Sequence, residues 1–318
     1  MSCKTDNQLV ATSRGFVPAT ARGDKHHPRI AFQGERGAFS EEAALKLIGA
    51  EIELVPRATF EALFASVDEG LADYILAPLE NSLAGSVHRS YDLLLESSLH
   101  ITAEVIIPIA HYLIGCRGAT FADITSIESH PVALAQCERF FRQHPNLKRS
   151  ATEDTAGSVA EITRCREATR AAIAGRRAAE VYGGVILQEH LEDHAENYTR
   201  FVLLSPRAVV ADAADKLSLL IKLRHQPAAL HHALAPFAHR GINLLKIESR
   251  PIAGIPWQYR FYLDLQASTR DSETQAALNE LDRCTEEVRV LGCYPSAARA
   301  LSPQQSSSVD QTQGVSPS

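Results

Sequence analysis

The sequence has few of the residues that cross-link a fold through disulfides or bind a metal ion. Its 318 residues include one methionine, one tryptophan and six cysteines, and only 6% of them are aromatic. The cysteines are widely scattered and form no C-x-x-C pair, so the chain offers neither a zinc ribbon nor a thioredoxin-type redox motif. We therefore expect free thiols in a reducing compartment.

An excess of basic charge and a long apolar run are also missing. The chain has 32 Lys and Arg against 38 Asp and Glu, a net charge of −6, whereas a nucleic-acid binder usually shows a basic face. The longest apolar stretch, residues 101–116, is interrupted by Glu104, Pro108 and His111 and falls short of the ~20 apolar residues that a membrane span needs. These features predict no nucleic-acid partner and no membrane span.

The two ends show no pattern that would form a core. Residues 1–28 lack periodicity and the apolar segment of a secretory signal, and residues 295–318 run into a stretch rich in Ser and Gln. Both ends are predicted to be disordered. We expect a cytoplasmic protein, and the Ser, Thr and Arg content of residues 1–28 leaves a plastid transit segment as the alternative.

Between these ends, strand and helix patterns alternate. Apolar segments such as residues 30–32 and 74–77 are typical of buried strands, and residues 29–206 therefore predict an α/β domain with largely parallel sheets. After a linker at residues 207–214, residues 215–294 follow the order βαββαβ, which is the ferredoxin-like pattern. The sequence thus predicts a larger α/β domain and a smaller second domain.

Several loops that follow predicted strands are polar, and in open α/β sheets ligands bind at the carboxyl ends of strands. These loops are residues 34–40, 78–85, 128–131 and 197–201, with 154–155 at a helix start. Their amide, hydroxyl and guanidinium groups suit a small ligand that carries carboxylates. Residues 34–37 lack the full G-x-G-x-x-G pattern, so a dinucleotide site is not indicated. Each polar group, taken alone, could equally cap a helix or a turn.

Six motifs in these loops and in the smaller domain occur in a familiar order. They are Gly34-Glu35-Arg36-Gly37-Ala38-Phe39-Ser40, Pro78-Leu79-Glu80-Asn81-Ser82, residues 129–137, Asp154-Thr155-Ala156, Thr199-Arg200-Phe201 and Glu248-Ser249-Arg250-Pro251. On these motifs, residues 29–294 resemble the prephenate dehydratase family with a C-terminal ACT regulatory domain. Residues 80–96, together with Phe32-Gln33-Gly34, are similar in wording to plant-type arogenate dehydratases.

The resemblance implies a fold and a reaction. The dehydratase domain would have two lobes, like a type II periplasmic binding protein, with residues 29–107 and 190–206 in one lobe and 108–189 in the other. The active site would lie in the cleft between them. The implied reaction is the decarboxylating dehydration of prephenate to phenylpyruvate in L-phenylalanine biosynthesis, with no cofactor and no metal ion.

The resemblance also assigns the site residues. Thr199 would donate a proton or hydrogen bond to the leaving hydroxyl, with Glu80 as the next catalytic candidate, and Arg200 would anchor a substrate carboxylate unless it forms a structural pair with a glutamate. The implied substrate-binding residues are Ala38, Phe39, Ser40, Asn81, Ser82, Ser129, His130, Gln136, Thr155, Arg200 and Phe201.

An ACT domain implies L-phenylalanine as the effector and a homodimer or homotetramer. The implied effector-binding residues are Ala228, Ala229, Leu230, Glu248, Ser249, Arg250 and Pro251. Ala228 stands where the family has glycine, and its methyl group would hinder close approach of a ligand to the backbone. We therefore expect inhibition by phenylalanine that is weaker than in relatives with glycine.

Two alternatives remain open on the sequence. Arogenate differs from prephenate by an amino group in place of the keto oxygen, so an arogenate dehydratase would show the same motifs. A non-catalytic amino-acid sensor with a binding-protein fold is a different class. The intact Thr199-Arg200-Phe201 motif argues against the sensor, since a pure binder would not need the proton donor.

Overall fold

The computed structural model describes residues 10–12, 15–17, 27–252 and 254–297. Most of the ends that were predicted to be disordered lie outside these residues. Within the first of them, β1 (Val10–Thr12) and β2 (Gly15–Val17) form an antiparallel pair. The sequence did not predict this pair, because three-residue strands are too short to show a periodic pattern.

The chain first builds a mixed sheet flanked by helices. Its elements through residue 108 are β3 (Arg29–Gln33), α1 (Phe39–Ile48), β4 (Glu53–Arg57), α2 (Phe60–Asp68), β5 (Tyr74–Asn81), β6 (Gly85–Ser86), α3 (His88–Glu96) and β7 (His100–Pro108). The next elements form a second sheet and then return to the first. They are β8 (Tyr112–Gly115), β9 (Ser126–Ser129), α4 (Pro131–Ala135), α5 (Glu138–Gln143), β10 (Lys148–Ala151), α6 (Thr155–Cys165), β11 (Arg170–Ala174), α7 (Arg176–Tyr182), β12 (Val185–Gln188) and β13 (Tyr198–Ser205).

These elements form two α/β lobes, which confirms the predicted fold class. The strand order is β4-β3-β5-β13-β7 in the first lobe and β10-β9-β11-β8-β12 in the second. The expectation of largely parallel sheets is wrong. In the first lobe β13 runs antiparallel to both β5 and β7, and in the second β8 runs antiparallel to β11 and β12. The returning strand pairs with segments about ninety or more residues earlier, a pairing that local patterns do not encode.

Buried apolar strands hold each lobe together. Ile30, Ala31 and Phe32 of β3 are fully buried between helices on both faces of the sheet, as expected for a strand covered on two sides. The N-cap of helix α1 is Ala38, whose side chain makes no hydrogen bond to the first turn. The carboxylate of Glu41 instead accepts a hydrogen bond from Gly37 N at 3.0 Å.

The remaining elements form a four-stranded antiparallel sheet with two helices, in the predicted βαββαβ order. They are β14 (Lys216–Lys222), α8 (Ala229–Ala238), β15 (Leu244–Pro251), β16 (Tyr259–Leu265), α9 (Ser272–Cys284) and β17 (Glu287–Tyr294), arranged as β15-β16-β14-β17. One face packs on α8 and α9 around Leu219, Phe237 and Leu281. The exact boundaries at residues 206 and 215 stay a prediction.

The other face of this sheet packs directly on the first lobe. Leu220, Tyr262 and Leu291 share a core with Leu94 and Ile101. Strand β17 lies so close to β7 that a Cβ on Gly292 would come within 2.1 Å of the carbonyl oxygen of Ile101. Because only glycine fits there, the sequence itself specifies this contact between the domains.

In the part of the chain that the structure describes, no helix is long and apolar enough to cross a bilayer. The same part brings no three His, Cys, Asp or Glu side chains together as metal ligands. Its cysteines, Cys116, Cys137, Cys165, Cys284 and Cys293, are free.

Candidate active site

The side chains of Thr199 and Asn81 meet where β13 pairs with β5. Asn81 Nδ2 donates to Thr199 Oγ1 at 3.0 Å, while Asn81 Oδ1 accepts from the backbone N–H groups of Leu83 and Ala84 at 3.0 and 2.7 Å. Since a backbone N–H can only donate, these two bonds fix the orientation of the Asn81 amide. The Thr199 hydroxyl therefore accepts a hydrogen bond, and its own hydrogen remains to be donated.

A hydrogen-bond network continues from Asn81 into the second lobe. Asn81 Nδ2 donates to Asn197 Oδ1 at 2.7 Å, and Asn197 Nδ2 donates to Gln136 Oε1 at 3.1 Å. Gln136 directly follows α4, so this bond joins the two lobes. The ring nitrogen Nε2 of His111 lies 2.8 Å from the same Gln136 oxygen. A carbonyl oxygen only accepts, so Nε2 of His111 carries a hydrogen.

His111 lies in the crossing between the lobes and is buried. Burial lowers the pKa of its imidazole, more than the hydrogen bond to Gln136 and the nearby Glu192 raise it. The ring is therefore neutral near pH 7. Its Nδ1 is buried and, among the residues that the structure describes, has no hydrogen-bond partner. With Nε2 protonated, Nδ1 is an acceptor close to the Gln136–Asn197 bridge.

The loop of residues 34–40 brings the first lobe against the second. Gly37 has φ +80°, and a Cβ there would lie 2.8 Å from the Cα of Ala178 in α7. Glycine is thus required both by the backbone conformation and by the close approach. Helix α1 begins directly after this contact.

The buried carboxylate of Glu41 ties this loop to α7. It accepts from Arg36 Nε at 2.7 Å and from Arg177 Nη2 of the second lobe at 3.0 Å. Burial alone would raise the pKa of Glu41, but the hydrogen bonds from Arg36, Gly37 and Arg177 outweigh it and hold the pKa below its ordinary value. Glu41 is therefore a charged link between the lobes.

The first predicted binding motif lies at this junction. Ala38 and Ser40 are buried at the start of α1. The ring of Phe39 meets the His111 ring edge-on, with 6.0 Å between the ring centroids. A Cβ added to Gly175 would lie 3.0 Å from the Phe39 ring. Phe39 therefore closes one side of the region that holds His111.

The predicted residues of the second lobe lie at strand and helix ends, with local partners. Ser129 Oγ donates to the carbonyl oxygen of Ile173 at 2.6 Å, and His130 caps α4 by accepting from Val132 N at 3.2 Å. Thr155 is the first residue of α6. Of the second-lobe residues predicted to bind substrate, Gln136 is the one that the structure links to Thr199 through hydrogen bonds.

Ser82 holds the end of β5 against β13. Its hydroxyl donates to the carbonyl oxygen of Glu196 at 3.1 Å and accepts from Tyr198 N at 2.9 Å. Ser82 therefore supports the segment that carries Thr199.

Three sequence predictions are corrected by the geometry of β5 and β13. Successive residues of a strand point to opposite faces, so Glu80 and Arg200 lie on the face away from Asn81 and Thr199. Arg200 is buried against Glu104 and Asp264 at 2.7 and 2.6 Å, and it does not reach a substrate carboxylate in the cleft. The structural pairing with a glutamate, left open by the sequence, is the one that forms.

Glu80 and Phe201 have other partners as well. Glu80 Oε1 lies 2.7 Å from Lys246 Nζ of the βαββαβ domain, so it is not an alternative proton donor in the cleft. Phe201 shares the face of Thr199 but is buried in the core with Ile30 and Phe32. It supports the strand rather than contacting a ligand.

Sequence reasoning missed four residues of this site: Glu41, His111, Arg177 and Asn197. Asn197 belongs to a loop already marked as polar. His111 was visible as an isolated polar residue in an apolar stretch, which is a weak signal for a buried, hydrogen-bonded side chain. Glu41 resembled an ordinary acidic residue in a first helical turn, and nothing in the sequence around Arg177 indicated its role.

The predicted effector residues occupy two separate places. Ala228, Ala229 and Leu230 line an open pocket of about 310 Å³, together with Trp257 and Phe261. Ala228 has φ +61°, a left-handed conformation that favours glycine.

The second effector motif faces the first lobe instead. Glu248 accepts from Ser86 Oγ at 2.8 Å and Arg250 pairs with Asp92 at 2.8 Å, while the alternating Ser249 and Pro251 are exposed. Within one chain, therefore, the two effector motifs do not share a pocket.

Comparison with known proteins identifies relatives of this chain. The family model described as prephenate dehydratase matches residues 30–209. The chain belongs to the prephenate dehydratase family. It is 40% identical over 301 residues to arogenate dehydratase 3, chloroplastic, of Arabidopsis thaliana, an alignment that covers 89% of this chain and 71% of the relative.

Solved structures of similar proteins agree with this assignment of the fold. Prephenate dehydratase from Arthrobacter aurescens in complex with L-Phe is 31% identical, with a TM-score of 0.79 over 85% of this chain and 91% of that one. A protein described as GqqA, a novel type of quorum quenching acylase, is 33% identical, with a TM-score of 0.78 over 85% and 99% of the two chains. The dehydratase family and the lyase class predicted from the sequence are confirmed.

Proposed function

We propose that this dehydratase converts prephenate to phenylpyruvate in L-phenylalanine biosynthesis, with Thr199 as the hydrogen-bond or proton donor to the leaving hydroxyl. In this reaction the C–O bond to the ring hydroxyl and the C–C bond to the ring carboxylate break. The electron pair left by carbon dioxide completes the aromatic ring, and the hydroxyl leaves as water with a proton that Thr199 donates and solvent then replaces. The observation that carries the proposal is the bond from Asn81 Nδ2 to Thr199 Oγ1, which leaves the hydroxyl hydrogen to be donated.

The network around Thr199 supports this role. An aliphatic hydroxyl is a weak acid, and the amide donor of Asn81 stabilises negative charge that develops on Oγ1 as the hydrogen is given up. Asn197 accepts a hydrogen bond from that amide and is itself bonded to Gln136 of the second lobe. A positioned acid of this kind contributes a rate factor of typically ~10²–10⁴, and aromatisation of the ring supplies the driving force.

Acyl transfer, suggested by the description of GqqA, has less support at this site. A hydroxyl nucleophile needs a neighbouring general base to take its proton. Thr199 Oγ1 instead accepts from an amide, and the protonated Nε2 of His111 faces Gln136. The geometry thus favours a donor over a nucleophile.

Arogenate is the alternative substrate, since the Arabidopsis relative is named for it. The deciding experiment supplies the purified full-length chain with prephenate and, separately, with arogenate, and measures phenylpyruvate and phenylalanine. We expect a higher kcat/KM with prephenate. A higher kcat/KM with arogenate would make the chain an arogenate dehydratase, and binding without turnover of either compound would favour the sensor.

We further propose that residues 215–294 act as an ACT domain that binds L-phenylalanine and pairs two chains. The pocket at Ala228 is the effector site in this proposal, supported by the complex of the Arthrobacter dehydratase with L-Phe. Edge strand β15 exposes Leu245 and Ile247, and exposed apolar edge strands favour pairing with another strand.

A homodimer or homotetramer is therefore expected, and light scattering after gel filtration measures it. Ile247→Lys should shift the wild-type oligomer toward a smaller species. A wild-type monomer at micromolar concentration would contradict pairing through β15.

For location, we keep the cytoplasm as the proposal and the plastid as the alternative. The chloroplastic Arabidopsis relative supports the alternative. Fusing residues 1–28 to a fluorescent protein and following import into isolated chloroplasts distinguishes the two, since a transit segment would be imported and cleaved.

A further inference from the structure

A buried ionic cluster joins the first lobe to the βαββαβ domain directly behind Thr199. The guanidinium of Arg200 lies 2.6 Å from Asp264 Oδ2 and 2.7 Å from Glu104 Oε2, and it donates to the hydroxyl of Tyr294 at 2.9 Å. Asp264 and Tyr294 belong to the second domain, on β16 and β17. The residue next to Thr199 in β13 is thus held by that domain.

The charges in this cluster balance. Arg200 and Lys216 are positive, Glu104 and Asp264 are negative, and all four side chains are less than 10% exposed. Burial would raise the pKa of Asp264, but the charges of Arg200 and Lys216 hold it below its ordinary value. A buried charge without its partner is strongly unfavourable. The position of Arg200 therefore depends on where the second domain places Asp264.

An irregularity in the pairing of β13 with β5 links the position of Arg200 to that of Thr199. Arg200 lies opposite Glu80 and Phe201 lies opposite Pro78, so Leu79 is the extra residue of a β-bulge in β5. Bulges bend a strand and re-aim the neighbouring side chains. Glu80 and Asn81 lie on one side of this bulge, paired with Arg200 and Thr199 at the start of β13.

Strand β5, the partner of β13, is also held by the second domain. Opposite Thr199 and Arg200 lie Asn81 and Glu80, and Glu80 is bonded to Lys246 of the second domain at 2.7 Å. On the cleft face, this short segment presents Thr199 and Asn81. On its back face, both side chains are tied to the second domain.

We infer that Arg200 is a positioning residue for Thr199, and that the βαββαβ domain sets the turnover rate through the contact between Arg200 and Asp264. The inference rests on the proposed function of Thr199. It predicts that weakening this contact lowers kcat while substrate binding is retained, because the cleft residues that bind substrate stay in place.

The test compares two variants of the full-length chain that each remove one charge between the domains. Asp264→Asn weakens the bond to Arg200, whereas the control Asp92→Asn weakens the pair of Asp92 and Arg250, which also crosses the domain boundary at 2.8 Å but does not involve β13. We expect Asp264→Asn to lower kcat by a factor of about 5–150, a typical coupling between sites, with KM nearly unchanged. Asp92→Asn should leave both constants near those of the wild type.

A second variant covers the case in which Asp264→Asn does not fold. Tyr294→Phe removes one hydrogen bond to Arg200 without leaving a charge, and it should also lower kcat, by a smaller factor. Both variants are then combined with Thr199→Ala. If Arg200 acts through Thr199, the second substitution should cause little further loss, whereas independent effects would multiply.

The outcomes distinguish failure of the positioning role from failure of the proposed function. If the wild type turns over substrate and both Asp264→Asn and Tyr294→Phe retain its kcat, the positioning role is refuted while the proposed function stands. Equal losses in Asp92→Asn and Asp264→Asn, or losses that multiply with Thr199→Ala, would show a merely structural contact and also refute it. A wild type that turns over neither prephenate nor arogenate would overturn the proposed function and this inference together.

Discussion

The amide of Asn81 and the hydroxyl of Thr199 face each other across two neighbouring strands, with 3.0 Å between Nδ2 and Oγ1. Two backbone N–H groups that donate to Asn81 Oδ1 fix the orientation of the amide. Asn81 Nδ2 therefore donates to the Thr199 hydroxyl, which is the acceptor. The same amide reaches Asn197, which reaches Gln136 in the other lobe. The orientation of the donor hydrogen on Thr199 is thus tied to the relative position of the lobes.

Replacing Asn81 by aspartate tests the amide as a donor. Asn81→Asp keeps an oxygen for Leu83 and Ala84 but loses the N–H bonds to Thr199 and Asn197, and its negative charge opposes charge on Oγ1. We expect kcat to fall by a factor of ~10²–10³, the typical effect of removing one such donor. Steady-state kinetics beside a thermal melt measure this, and a folded variant with wild-type kcat would show that the donor is not needed.

Glu41→Gln tests the charged link between the lobes. The variant weakens hydrogen bonds from Arg36 and Arg177, and a bond to a charged group contributes about 1.5–3 kcal/mol. We expect the free energy of unfolding in urea at pH 7 to fall by about this amount. Ser40→Ala, a neighbouring buried position outside the link, serves as the control.

The pH dependence of this difference follows from the lowered pKa of Glu41. A carboxylate with a lowered pKa contributes its full stability above its ordinary pKa of about 4.5, and the contribution is lost as the pH falls through the lower value of the folded state. The difference in the free energy of unfolding between the wild type and Glu41→Gln should therefore shrink from about pH 5 to about pH 3, the range in which carboxyl groups titrate. A difference that widens with acid would contradict the ion pair.

Ala228→Gly tests the strained backbone at the proposed effector pocket. The left-handed conformation costs a non-glycine residue about 1–2 kcal/mol, and the added freedom of glycine in the unfolded chain offsets about 0.4–1 kcal/mol of the gain. We expect a small rise in the melting temperature and stronger inhibition by L-phenylalanine. Unchanged inhibition would refute the steric argument, and calorimetry that detects no phenylalanine binding to the wild type would refute regulation by this ligand.

The sequence predicted the order of elements because apolar strands and amphipathic helices leave local patterns. The strands at residues 30–32 and 74–77 and the βαββαβ order after residue 215 are examples. It did not predict that the strand carrying Thr199 runs antiparallel to both of its neighbours, since its partners lie at least ninety residues earlier. Pairing over such distances is decided by the packing of the whole lobe.

The site was predicted in part for a similar reason. Two motifs assigned Thr199 and Asn81 to one cleft, and they assigned Arg200 and Glu80 to the same cleft. Strand alternation requires them to face the opposite side, and the structure shows that this side is covered by the second domain. The role of Gln136 depends on Asn197 and His111, which join it only in the folded chain.

The central claim is that the Thr199 hydroxyl donates to the leaving group, and the kinetics of Thr199→Ala and Thr199→Ser on prephenate test it most directly. With both variants folded and binding substrate, alanine should lower kcat by a factor of ~10²–10⁴, while serine, which keeps the hydroxyl, should retain most of the activity. An alanine variant that turns over prephenate at the wild-type rate would contradict the account.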